Sequence, residues 1–241
     1  MRSIGFSTGA LAFGDFRLGL SLLAGRLVHA VELSALREHE LPTLMAALSE
    51  LDLSQFTYVS VHAPSRLKIM KEAAVAEALM PCIERHWPVI LHPDAIGDHG
   101  CWRDFGDLLC IENMDKRKPC GRDVAELEPH LSALPKASLC LDLGHARQVD
   151  ATFGIARLIV AEYGNRLKQI HLSELNAKSQ HEPLSMASVW AVREIQHLIP
   201  DCPVILESVV RPGQIDAELV MAARCFERSA RAQQMRIHST F

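Results

Sequence analysis

The chain has 241 residues, room for one large domain or two small ones, and 49% hydrophobic with 22% charged residues is a globular composition. Intrinsic disorder, collagen and coiled coil are excluded on that ground. A formal net charge of −4 leaves no general basic field to hold a nucleic acid, so such binding would need a local patch.

Taken in chain order, short apolar, β-rich runs recur along the whole length. They are SIGFS (3–7), HAVELS (29–34), YVSVHA (58–63), PVILHP (88–93), LLCIEN (108–113), SLCLDLG (138–144), LKQIHLS (167–173) and PVILES (203–208). Eight runs in 241 residues give about 30 residues per unit, the length of one strand, one helix and two loops. Between the runs, apolar residues at helical spacing predict helices over 71–86, 121–134, 152–167, 185–199 and 216–232. Asp123 and Ser185 are candidate N-caps; Gly164-Asn165 and Pro200 follow predicted helix ends. The unit at 94–107 predicts only a short helix. The runs are continuously apolar rather than alternating, which indicates strands buried on both faces. Eight such units predict an α/β fold, a single (β/α)8 TIM barrel over residues 1–241. An open doubly wound sheet competes, but no G-x-G-x-x-G and no P-loop is present.

The seven Cys are scattered and form no C-x-x-C pair. The N-terminal stretch lacks the apolar core of a secretory signal, and no run approaches the roughly 20 residues that span a bilayer. A cytoplasmic protein with reduced thiols and no membrane partner is expected.

The residue at which each apolar run turns polar carries the functional signal. Six consecutive runs end in His62, His92, Glu112, Asp142, His171 and Glu207. In a barrel all strand C-termini surround one opening. Three carboxylates and three imidazoles crowded there would repel and desolvate one another without a cation. The mixed nitrogen and oxygen donors suit Zn, Mn, Fe or Co better than Ca or Mg. The 12 His are a surplus in the same direction. His145 in Asp-Leu-Gly-His, where Gly144 permits a sharp turn, and His181 in the loop after the seventh run are further candidates. Glu32 at the end of the second run, Arg66 and Arg147 are candidate substrate contacts, the arginines for a phosphate. Surface or structural roles are expected for His29, His39, His86, His130, His197 and His238.

The stretches IENMD, CLDLGHA, IHLSE and VILES, spread over nearly the whole chain, resemble the xylose isomerase-like TIM-barrel superfamily. That superfamily contains sugar isomerases and epimerases and the AP endonucleases (family 2) of the endonuclease IV type. The resemblance implies two possible sites. An isomerase or epimerase site would hold one divalent metal with Glu112, Asp142, His171 and Glu207, the two Glu acting as acid and base. An endonuclease IV-type site would hold up to three ions. Glu112 would bridge the first two, with His62 and His92 completing the first and Asp142, His171 and Glu207 the second. His145 and His181 would hold a third, which is expected to be weak because Ser179 stands where that family has Asp. Eight of nine ligands of the larger site are thus present. That count favours metal-dependent phosphoester hydrolysis, with Glu112 and Glu207 as catalytic residues, over sugar isomerisation. A small phosphorylated or sugar substrate is expected rather than nucleic acid, since PSRLKIMK after the third run shows no aromatic wedge.

Overall fold

The structure, a computed structural model, describes residues 2–227. His238 and the end of the helix expected over 216–232 lie outside the described residues. The strands are Ile4–Ser7 (β1), Ala30–Ser34 (β2), Tyr58–His62 (β3), Val89–Leu91 (β4), Leu109–Glu112 (β5), Ser138–Asp142 (β6) and Leu167–Leu172 (β7). Glu174–Leu175 (β8) and His181–Glu182 (β9) form a separate antiparallel hairpin, and Val204–Leu206 (β10) is the eighth barrel strand. The order β1-β10-β7-β6-β5-β4-β3-β2 closes on itself, and all neighbours are parallel. The architecture is a (β/α)8 TIM barrel. Among the described residues no helix is long and apolar enough to cross a membrane.

Five helices fall where the periodicity places them: Glu72–Glu84, Val124–Ala133, Gly154–Tyr163, Met186–Ile195 and Ile215–Cys225. Asp123 caps one by accepting from the Glu126 amide at 2.9 Å, and Ser185 another by accepting from Ser188 at 3.2 Å. The weak unit at 94–107 holds two 3₁₀ segments, Pro93–Ala95 and His99–Leu108, the second kinked at Gly106 (φ 57°). Four short helices go beyond the sequence expectation: Thr8–Ala12, Phe16–Leu23, Leu41–Ala47 and Leu143–Val149. Each has at most eight residues, too few to display a helical period.

Strand alternation sorts the side chains. Val59, Val61, Val89, Leu91, Leu109, Ile111, Leu139, Leu141, Ile170, Leu172, Val204 and Leu206 join the main apolar core under the helices. Their neighbours face the barrel axis, where Ile90, Cys110 and Cys140 form a small cluster of their own. Gly5 is required by the closure itself: a Cβ there would lie 1.6 Å from the Ala30 carbonyl oxygen on β2.

Candidate metal centre

The inward side chains come in pairs two residues apart: Ser60 and His62, Ile90 and His92, Cys110 and Glu112, Cys140 and Asp142, Gln169 and His171, Ile205 and Glu207. Period-two geometry therefore puts the second member of every pair on the axis, one layer above the first, at the C-terminal mouth. All six strand-end residues are buried.

Glu112 is the hub. Its Oε2 lies 3.3 Å from His62 Nε2 and 3.2 Å from His92 Nε2, while its Oε1 lies 3.1 Å from His171 Nδ1 and 3.4 Å from His145 Nδ1. Two donor sets meet there. Ligand atoms of His62, His92 and Glu112 lie within 4.8 Å of one another, as do those of Glu112, Asp142, His171 and Glu207. A third set, Glu32, His62 and Glu207, overlaps both. The first two have the membership that the resemblance implies for its first and second ions.

The chemistry of these sets fits divalent cations. Asp142 Oδ2 is buried with no hydrogen-bond partner. His145 Nδ1 lies 3.4 Å from it but is bonded to the Asn113 carbonyl at 2.9 Å. An orphaned carboxylate oxygen in a buried set with two further carboxylates, Glu112 and Glu207, is a costly arrangement that a cation resolves. Asp142 is otherwise well held: its Oδ1 accepts from the His145 amide at 2.6 Å and caps the helix Leu143–Val149.

His145 and His181 approach each other, ring centroids 5.8 Å apart, but belong to none of the three sets. The β8–β9 hairpin carries His181 back over the mouth, where its Nδ1 meets Ser173 Oγ at 2.8 Å and Glu207 Oε2 at 3.8 Å. Ser179 sits at the hairpin turn with φ 56°, and its hydroxyl donates to Gln148 Oε1 at 2.7 Å. Gly144 does not make the sharp turn expected of it. It lies inside a helix, and its role is close approach, since a Cβ would sit 2.9 Å from the Ser173 carbonyl oxygen.

Burial and charge push the two glutamates apart. Burial raises Glu112, but the His171 charge and hydrogen bonds from His171, His62 and His92 outweigh it and hold the carboxyl well below its usual range. Glu207 is pushed well above its usual range by burial, which the His171 charge offsets only in part and Glu112, Asp142 and Glu32 reinforce. Burial also lowers His92 to about 4 and His181 to about 3. His171 is the reverse: burial is outweighed by the surrounding negative charge, and the ring stays protonated well above its usual range.

Glu32 and Arg147 are not where substrate contacts were expected. Glu32 is fully buried one layer below the mouth, where Oε2 is bonded to His171, Gln169 and Ser60, with no ion pair to Arg37 or Arg66. Arg147 is committed to Ser188 Oγ at 2.5 Å and Glu174 at 3.5 Å, away from the cavity lining. Arg66 does line the cavity, a space of about 580 Å³ over the metal-ligand candidates. Arg37, Lys68, Arg117 and Lys118 line it too, together with Glu38 and Asp115, so five cations gather at the mouth of an acidic chain, Arg66 and Lys68 of them outside any ion pair among the described residues. Lys118 bridges His92 Nδ1 at 3.1 Å and Asp94 at 2.8 Å. Apart from Arg66, the sequence alone assigns none of these cations to the site, and it expects only a surface or structural role for His39, which also lies at the mouth. The Lys116-Arg117-Lys118 run directly after the Glu112 strand is the available signal. The loop after β3 is latched by Glu38, whose carboxylate accepts from the amides of Lys68, Ile69 and Met70 at 2.8–3.0 Å. That loop holds Ile69, 89% exposed, at the lip of the cavity.

Neither a protein-family model nor a curated protein sequence matches the chain. Solved structures do match it along nearly its full length. Endonuclease IV from Thermus thermophilus is 17% identical with a TM-score of 0.61, covering 93% of this chain and 98% of its own. The 3-keto-D-glucoside 4-epimerase from E. coli is 11% identical with a TM-score of 0.56, covering 93% and 99%. A xylose isomerase-like TIM barrel protein from Mycobacterium smegmatis, in complex with magnesium, is 12% identical with a TM-score of 0.56, covering 94% and 98%. The chain therefore shares the (β/α)8 barrel fold of these proteins over nearly its whole length.

Proposed function

We propose that this protein is a metal-dependent hydrolase of small phosphate esters, with two divalent transition-metal ions (Zn, Mn or Fe) sharing Glu112. One observation carries the reading: the two oxygens of Glu112 face different donor sets, Oε2 toward His62 and His92, Oε1 toward His171. A bridging carboxylate needs that arrangement, and a single-ion site has no use for the paired imidazoles of β3 and β4. His62, His92 and Glu112 would hold the first ion; Glu112, Asp142, His171 and Glu207 the second; His145 and His181 are left for a weaker third. Such ions acidify a water and stabilise the phosphoryl and leaving oxygens.

The chain's own residues supply the rest. Glu207 lines the cavity within the second donor set, where its carboxylate would orient the attacking water. Arg66 and Lys68 make no ion pair among the described residues and are available to a phosphate, while Arg117 and Lys118 are paired to Asp115 and Asp94. A cavity of about 580 Å³ is the size of a small-molecule site.

The second reading is a sugar or sugar-phosphate isomerase or epimerase. It is favoured by the completeness of the set Glu112, Asp142, His171 and Glu207 as a one-ion site, with the two Glu as acid and base. The test pairs metal content with two activities. Two or more tight ions per chain and hydrolysis of p-nitrophenyl phosphate or its diester support the first reading. One ion, with exchange of sugar C–H for solvent deuterium, supports the second and refutes the first.

A further inference from the structure

Glu32 belongs to neither principal donor set and does not line the cavity, yet it is a carboxylate with no exposure. Its hydrogen bonds all fall on one oxygen, Oε2, while Oε1 is buried with no partner. Oε2 accepts from Ser60 Oγ at 3.2 Å, from Gln169 Nε2 at 2.7 Å and from His171 Nε2 at 3.0 Å. The Gln169 amide is itself oriented, because its Oε1 accepts from the Tyr58 hydroxyl at 2.8 Å, which turns the NH₂ end toward Glu32. Gln169 Nε2 also lies 2.7 Å from His171 Nε2. Both nitrogens donate to the shared Glu32 oxygen, so their proximity follows from that oxygen rather than from a bond between them. Glu32 of β2, Tyr58 and Ser60 of β3 and Gln169 of β7 thus act together at this level to hold one carboxylate against one imidazole.

The opposite edge of His171 points upward. Its Nδ1 lies 3.1 Å from Glu112 Oε1 and 3.6 Å from Glu207 Oε1, inside the donor set of the second ion. An imidazole whose Nε2 carries a proton bonded to a fixed carboxylate has its Nδ1 lone pair free when neutral. A carboxylate on the far nitrogen also makes the ring a stronger donor and holds its plane.

We infer that Glu32 is a positioning residue that holds the proton of His171 on Nε2 and so presents Nδ1 as a ligand to a divalent cation. The inference rests on the metal-binding reading above and goes beyond it, because it gives Glu32 a role through His171 rather than as a ligand in the set with His62 and Glu207. It also gives a role to a carboxylate buried in the same barrel interior as the apolar cluster of Ile90, Cys110 and Cys140.

The experiment uses the full chain stripped of metal and titrated with Zn against a chromophoric chelator, with ¹⁵N-histidine spectra of the loaded protein. Wild type should show His171 ligated through Nδ1 and protonated at Nε2. Glu32→Gln should weaken Zn at the Asp142–His171–Glu207 set by about 10- to 100-fold, with a smaller loss at the His62–His92 set. If that variant cannot be purified folded, Glu32→Asp keeps the charge but draws it back by one methylene and should weaken the same set. Unchanged Zn affinity in the folded variant, or equal weakening of both sets, overturns the inference while the metal reading stands. No Zn uptake by wild type overturns both.

Discussion

Glu112→Gln is the most informative single change. The carboxamide is nearly isosteric at the end of β5, so it keeps the packing and removes one negative charge from a site where four imidazoles lie within 3.1–3.4 Å. A unit charge pair at such a distance is worth about 4 kcal/mol at an effective dielectric of about 20, and a divalent ion more. At about 1.4 kcal/mol per decade, that is a loss on the order of a thousandfold in affinity. Because each carboxylate oxygen serves a different set, both ions should be lost together. His62→Ala, in contrast, should release only the first. The assay is elemental analysis after dialysis, followed by chelator competition, with circular dichroism to establish that the variant is folded. A folded Glu112→Gln protein that keeps two ions, or that loses less than about tenfold in affinity for either, refutes the bridging assignment.

Metal binding should strengthen with pH. Burial, only partly offset by His171, raises Glu207 well above 4.5, and negative surroundings outweigh burial to raise His171 well above 6.5. Both raised groups contribute stability present below those unfolded values and lost as pH rises through the folded ones, so the metal-free protein should lose stability above pH 6.5. Both must also release protons to an incoming ion. The rise in Tm on adding Zn should therefore be larger at pH 8 than at pH 6, and an equal or smaller rise contradicts this. Arg66→Ala should raise KM for a phosphorylated substrate about tenfold with kcat within about twofold, since a charged hydrogen bond is worth about 1.5–3 kcal/mol; a fall in kcat alone would place Arg66 elsewhere in the reaction. An ion held by His145 and His181 should be the weakest in a Zn titration, because those residues join no carboxylate set and Ser179 faces Gln148. Three equally tight ions would show that the hairpin is rebuilt on binding. Duplex DNA containing an abasic site should bind only weakly at physiological salt. Submicromolar binding would show that the cations of the mouth and Ile69 engage nucleic acid.

The barrel was legible because its signal is repetitive. Eight apolar runs about 30 residues apart leave few ways to bury both faces of each strand, and the six strand-end ligand types follow from where each run stops being apolar. The endpoints His62, His92, Glu112, Asp142, His171 and Glu207 were thus readable one by one. What the linear chain could not carry was which atom faces which. The division of Glu112 between two donor sets depends on barrel closure, which sets β3 and β4 on one side of β5 and β6 and β7 on the other. Glu32 looked like a residue of the opening because it also ends an apolar run. In the barrel, β2 runs two residues further, and its register against β3 sets Ser34 opposite His62 and Glu32 opposite Ser60, a layer lower, where it bonds to His171 and not to a substrate. The gathering of cations at the mouth was hidden for a related reason. Arg37, Arg66, Lys68, Arg117 and Lys118 come from three separate loops, so their convergence is absent from any local window of an acidic sequence. Composition and period decide that strands form and where they end; closure, stagger and loop convergence are contacts between distant segments, and those are what turn six isolated ligand types into one site.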